Sequence, residues 1–208
     1  MSKEIERRFY TFDRKVLEEK IKEIGGVKKG MYNFQILAFV QPEGYSMLRL
    51  RDEGHRITFT LKQKGADGYE LENEVNVNSF NEMRTILEKM GNKKKYFLQK
   101  IREIYDIGKS ELVFDHYPGL PGYIEIESPT EEELFSLADK LDLKKDEPHR
   151  EAGDLYLECY GITKDRPLLD LAFDNIHDLF KKYITKNEDM MLKIIEGQKK
   201  LLEKVENK

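Results

Sequence analysis

Charged residues recur in this chain at a spacing of two. Glu4 and Glu6 open it within Glu-Ile-Glu-Arg-Arg-Phe, and Glu125 and Glu127 repeat the spacing within Tyr-Ile-Glu-Ile-Glu. Between them lie Arg49 and Arg51, Lys62 and Lys64, and Lys100 and Arg102. Alternate residues of a strand share a face, so each pair sets two charges on one side of a sheet. If those faces converge, Glu4, Glu6, Asp115, Glu125 and Glu127 bring carboxylate oxygens together. That is a ligand set for a hard six-coordinate cation, Mg²⁺ or Mn²⁺. Arg8, Arg49, Arg51, Lys62, Lys100 and Arg102 supply the opposite charge: arginine forks take phosphate oxygens in pairs, and lysines act as point charges. Acids with a metal at one wall and bases at another is the arrangement phosphoryl chemistry needs, because catalysis there is mostly positioning and charge stabilisation.

The elements that must position these residues follow from patterning. Residues 3–10 read as a strand, and Asp13 caps a helix to Ile24 whose stripe is Val16, Leu17, Ile21 and Ile24, ended by Gly25-Gly26. Strands are expected at 31–40 and 45–52 around Pro42-Glu43-Gly44, and at 56–63 and 69–77 around Gly65-Ala66-Asp67-Gly68. Ser79 with Glu82 caps a helix to Met90; strands follow at 95–107, 110–116 and 123–127; Thr130 with Glu133 caps a third helix built on Leu134, Leu137, Ala138 and Leu141. The opposite strand faces carry Ile5, Leu48, Leu50, Phe59, Leu61, Ile101, Ile124 and Ile126. An open sheet would leave the charges in water. A barrel of eight strands would turn them into an interior wide enough for one small ligand, provided helices cover its apolar outside. Beyond residue 165 the pattern changes to two helices, one from Pro167 through Phe180 and one over about 187–206, read as a helical cap or as a contact with a second copy.

Composition narrows the field. The chain has 208 residues, enough for one domain with an appendage and a sizeable core. Its net charge of -4 argues against a protein that coats nucleic acid. No apolar run reaches membrane-span length, the first twenty residues are too charged for a secretory signal, and Cys159 is the only cysteine, so disulfides and cysteine-based zinc sites are excluded and a cytoplasmic setting is expected. His55, His116, His149 and His177 show no zinc spacing, and no Gly-x-x-x-x-Gly-Lys loop exists.

Glu4-Ile-Glu6-Arg-Arg8 resembles the Glu-x-Glu-x-Lys signature of the CYTH superfamily, the triphosphate tunnel metalloenzymes. The resemblance runs over about residues 1–162. Met47-Leu-Arg49-Leu-Arg51 is similar to the family's Arg-x-Arg strand, Thr58-Phe-Thr-Leu-Lys62 to its Leu-Thr-Leu-Lys strand, and Glu70-Leu-Glu72-Asn-Glu74 to the acidic strand that follows. Lys100-Ile-Arg102 resembles the Lys-x-Arg strand, and Phe114-Asp115 with Glu125-Ile-Glu127 the closing metal-binding strands. The resemblance implies an α+β fold, an eight-stranded antiparallel β-barrel with peripheral helices over 1–165; the C-terminal helical extension over 166–208 is read from its pattern alone. It implies metal at Glu4, Glu6, Asp115, Glu125 and Glu127. Substrate would be gripped by Arg8, Arg49, Arg51, Lys62, Lys100, Arg102 and, near the last helix, Arg150, with His149 second. Glu74, Glu72 and Lys62 take the catalytic positions, Glu74 favoured for orienting a water. Arg8 departs from the signature lysine; arginine keeps the charge but does not act as a base. The expected activity is hydrolysis of an inorganic, nucleoside or thiamine triphosphate, with adenylyl cyclisation of ATP and non-catalytic polyphosphate binding as rivals. The partners expected are a triphosphate-containing small molecule, no membrane, no nucleic acid, and a second copy through the C-terminal helices.

Overall fold

The computed structural model describes residues 5–65, 70–163 and 170–206. Alternating sequence produces eight antiparallel strands: β1 (Ile5–Phe9), β2 (Val27–Phe39), β3 (Met47–Asp52), β4 (Ile57–Lys64), β5 (Glu70–Asn76), β6 (Lys94–Ile107), β7 (Ser110–His116) and β8 (Tyr123–Ser128). They lie in the order β1-β8-β7-β6-β2-β3-β4-β5. A ninth strand, β9 (Asp170–Leu171), adds in parallel to β6 at Phe97 and Leu98. Among the described residues β1 and β5 do not pair, so the expected barrel is a curled sheet that stops short of closure. One edge is only five residues long and the other carries Glu72 and Glu74, and short or charged edges resist pairing.

Helices cover the convex face. In α1 (Arg14–Glu23) the Asp13 carboxylate accepts from the backbone N–H of Lys15 and Val16, and Leu17 and Ile21 are buried. Val16, expected on the same stripe, is exposed: one residue out of phase with Leu17, it points past the sheet. Leu17 and Ile21, with Leu134, Leu137 and Ala138 of α3 (Glu131–Lys140), pack on Phe9, Leu112, Phe114, Ile124 and Ile126. Leu87 of α2 (Phe80–Lys89) covers Leu37, Phe39, Leu48 and Leu50. Glu103, buried on this face, accepts from Arg14 at 3.0 Å and Lys28 at 2.5 Å, tying α1 and β2 to β6.

Two elements differ from expectation. A helix α4 (Ala152–Tyr160), closed by Gly161 at φ 73°, presents Tyr156 and Tyr160 to the core, where their hydroxyls donate to the carbonyls of Pro118 and Gly119. Pro167, where a helix is expected to start, lies outside the described residues; within them Asp170 and Leu171 are a strand, and the helical part is α5 (Ile176–Phe180). Lys94 paired with both Asp170 oxygens at 2.8 Å, and Gln99 accepting from Phe173 N–H, hold that stretch to β6. The final helix, α6 (Glu188–Glu206), lays Met191, Ile195 and Gln198 inward. Leu201, Leu202 and Val205 pack on Met31, Ile101 and Phe173. The extension thus covers the same sheet as the other helices. No helix among the described residues is long and apolar enough to cross a membrane.

Candidate active site

Strand register sets the site. Glu6 faces Glu127 and Arg8 faces Glu125 across β1 and β8; Arg102 faces Asp115 across β6 and β7; Arg49 faces Thr60, and Arg51 faces Thr58, across β3 and β4; Glu74 and Glu72 of β5 face Thr60 and Lys62. All of these residues share the concave face, and the apolar residues between them share the convex one. The curl is strong enough that Glu6, at one end of the sheet order, feels the charge of Lys62 near the other. A small cleft between β2, β3 and β6 is lined by Ala38, Gln41, Ser46, Met47, Lys95 and Tyr96.

The charges fall into two groups. In the first, Arg102 grips both oxygens of Asp115 at 2.7 and 2.6 Å and reaches Glu125 at 3.2 Å, while Lys100 donates to Asp115 at 2.9 Å and Arg8 to Glu125 at 2.8 Å. Burial pushes the Asp115 carboxyl up, but Arg102 and Lys100 outweigh it and hold it well below the ordinary aspartate range. Lys100 is the reverse case. Burial, and then the charge of Arg102, lower it to about 8, outweighing the opposing pull of Asp115 and Glu125. Tyr117 and Tyr123 stack behind this group, 5.7 Å separating Arg8 from the Tyr123 ring, and burial pushes the Tyr117 phenol up to about 12.

In the second group, Lys62 pairs with Glu72 at 2.9 Å, and Arg51 pairs with Glu53 at 2.6 Å and approaches Glu74 at 3.6 Å. Burial raises the Glu74 carboxyl, but the Thr60 hydroxyl, donating at 2.8 Å, and Arg51 outweigh it and hold it below the ordinary value. Five buried side-chain polar atoms lack a partner among the described residues. Three of them, Arg49 Nε, Arg51 Nε and Thr58 Oγ1, sit together on this wall. Buried donors without acceptors are rare, so this patch calls for an oxygen-rich anion.

The expected metal set is only partly assembled. Glu4 lies outside the described residues. Asp115 is the buried counter-ion of Lys100 and Arg102, and among the described residues no three acidic side chains converge as a cation site. Glu6, Glu125 and Glu127 do share one face of the neighbouring strands β1 and β8, without converging on a common point. Burial and the charge of Glu125 raise the Glu6 carboxyl, so this corner carries negative charge that a cation would relieve. Arg150 is not turned into the lumen: its guanidinium pairs with Glu158 at 3.0 Å and lies 4.9 Å over Tyr10, and only its carbonyl meets Arg8. His149 pairs with Glu151. Sequence reasoning missed Glu53, Thr58 and Thr60. Each stands at an even offset from a residue it did identify, Arg51 or Lys62, and that periodicity is the signal that finds them.

A curled antiparallel sheet, helices on its apolar outside and a lumen of opposed acids and bases define the class of open, barrel-like α+β domains. The chain belongs to the CYTH domain family, whose model matches residues 2–160. Solved structures agree in fold. The PH1012 protein of Pyrococcus horikoshii OT3 is 21% identical at a TM-score of 0.59, covering 71% of this chain and 96% of its own. A candidate adenylate cyclase of Vibrio parahaemolyticus is 19% identical at a TM-score of 0.61, covering 73% and 96%. A conserved hypothetical protein of Pyrococcus furiosus is 18% identical at 0.60, covering 74% and 99%. No curated protein matches the chain.

Proposed function

We propose that this protein is a divalent-metal-dependent triphosphatase that holds the triphosphate of a small molecule in its lumen. The observation that carries the proposal is the patch of buried donors that lack acceptors among the described residues, Arg49 Nε, Arg51 Nε and Thr58 Oγ1, set beside Lys62 and across the lumen from Arg8, Lys100 and Arg102. A triphosphate carries about four negative charges, and arginine forks and lysines in a partly dehydrated lumen suit it better than any neutral ligand.

Mg²⁺ or Mn²⁺ fits the donor chemistry of Glu6, Glu125 and Glu127, which are hard oxygen ligands on adjacent strands with Glu6 raised by burial and by Glu125. When bound, such a cation supplies positive charge to phosphate oxygens and acidifies water. The chain's own residues do the rest. Arg49, Arg51 and Lys62 grip phosphate oxygens from one wall, and Arg8, Lys100 and Arg102 do so from the other. Glu74, ionised at neutral pH and oriented by Thr60, accepts a proton of the attacking water and aims it in line with the leaving oxygen. Glu72 holds Lys62 in place until substrate arrives.

The second reading, cyclisation of ATP with release of pyrophosphate, is favoured by the likeness to the Vibrio parahaemolyticus protein named above. Both reactions use the same charges and differ in which phosphorus is attacked. The test is to supply ATP, thiamine triphosphate and tripolyphosphate with Mg²⁺ or Mn²⁺, and to measure orthophosphate, pyrophosphate and cyclic AMP separately. Orthophosphate without cyclic AMP is the expected outcome. Cyclic AMP with pyrophosphate establishes the second reading, and no product from any substrate overturns both.

A further inference from the structure

One residue past β3, Glu53 continues the lumen row of Arg49 and Arg51 at the same spacing of two. It stands at the tip of the β3–β4 hairpin, where its N–H bonds the Arg56 carbonyl at 2.9 Å, yet the residue is only 3% exposed. A buried carboxylate needs compensation, and two guanidinium groups provide it. Arg51 donates from the lumen side at 2.6 Å and Arg56 from the tip at 2.6 Å. His55 closes over the pair, its ring 4.7 Å from that of Tyr32 and one nitrogen 3.2 Å from the Glu53 carbonyl. Arg51 is therefore tethered at one terminal nitrogen, while its buried Nε has no partner among the described residues and its next acid, Glu74, stands farther off at 3.6 Å.

We propose that Glu53 is a positioning residue for Arg51: without touching substrate, it fixes the guanidinium fork so that the unpartnered Nε–H stays available to a phosphate oxygen. The inference rests on the triphosphate reading of the lumen given above. It runs against the naive electrostatic expectation. A carboxylate beside an anion site repels the anion, so if charge alone mattered, neutralising Glu53 would tighten binding. A flexible arginine must instead be immobilised when the ligand arrives, and its tether removes that cost beforehand.

The test compares Glu53→Gln, Glu53→Asp and Arg56→Gln with the wild type, using tripolyphosphate as the probe. In Glu53→Gln, KM and Kd are expected to rise about tenfold, the scale of one charge-assisted hydrogen bond lost to disorder, with kcat within about twofold. Glu53→Asp keeps the charge but withdraws it by one methylene, so it should fall between the two; it carries the same test should the glutamine variant fail to fold. Arg56→Gln, which leaves the Arg51 tether intact, should bind within about twofold of wild type. Side-chain NMR of isotope-labelled arginine should show hindered rotation of the Arg51 guanidinium in wild type and free rotation in Glu53→Gln. Equal or tighter binding by Glu53→Gln, or an Arg51 whose rotation does not change, overturns the inference. A wild type that binds no tripolyphosphate overturns the reading of the lumen instead.

Discussion

Replacing Asp115 with asparagine separates two roles that sequence alone left merged. Asp115 is 1% exposed and accepts three charge-assisted hydrogen bonds, two from Arg102 and one from Lys100. Asparagine keeps the shape but removes the charge and turns an N–H₂ toward two cations, leaving them buried and mutually repelling. Removing one partner of a buried ion pair costs about 3–5 kcal/mol, a large part of a typical domain's 5–15 kcal/mol. With a urea m-value of about 2 kcal/mol/M, the unfolding midpoint of Asp115→Asn should fall by about 1.5–2.5 M. The sign of the pH dependence follows from the depressed Asp115 carboxyl. Its contribution is fully present above the unfolded aspartate value of about 3.9 and is lost as pH falls below that toward its folded value. The gap between variant and wild type should therefore stay constant from pH 7 to about 4 and shrink only below it. Tripolyphosphate should restore much of the variant's loss, by placing new negative charge between Lys100 and Arg102. A loss under about 1 kcal/mol, together with a weakened response to Mn²⁺, would refute the reasoning and return Asp115 to the metal set.

Other outcomes follow from neighbouring contacts. Because burial and Arg102 hold Lys100 down to about 8, triphosphate affinity should fall as pH rises through that value, and binding at pH 8 should take up protons. Lys100→Arg, permanently charged, should remove both effects, as calorimetry in buffers of different ionisation enthalpy would show. Glu74→Gln should lower kcat about 100-fold or more while KM moves little, if Glu74 orients the water; a change in KM alone would make it a charge-balancing residue. Gln198, 3% exposed, donates to the carbonyls of Tyr117 and Leu120 and accepts from Gly119 N–H. Gln198→Leu should destabilise the fold by about 2–3 kcal/mol in chemical denaturation without altering the triphosphate Kd, since α6 packs on the outside of the sheet.

The sequence made the faces legible and left the distances hidden. A period of two places Arg49, Arg51, Lys62, Lys100, Arg102, Glu125 and Glu127 on one side, and the strand register keeps them there. Which acid belongs to which base depends on tertiary geometry. That Asp115 would pair with Arg102 and Lys100 could not be read from its spacing, and the register of β6 and β7 sets it there. Closure was likewise unreadable, because pairing of β1 with β5 turns on edges whose alternation is the same paired or unpaired. The stretch around Leu171 and Ala172 shows why short apolar runs mislead: their spacing suits a helix, but pairing with β6 makes a short strand of Asp170 and Leu171. The opening of β2 was missed for another reason. The expected strand begins at residue 31, but a bulge between Lys28 and Gly30 extends the pairing with β6 back to Val27. In α4, a start at Ala152-Gly153 gave little warning of the capping box between Glu151 and Asp154.

The central claim is that the unpartnered donors of β3 and β4 hold a triphosphate. Calorimetric titration of tripolyphosphate into the wild type and into the Arg49→Ala/Arg51→Ala double variant, with and without Mn²⁺, tests it directly. One site per chain is expected, tightened by Mn²⁺ and weakened about 100-fold or more in the variant. Equal binding by the two proteins, or none by the wild type, would contradict the account.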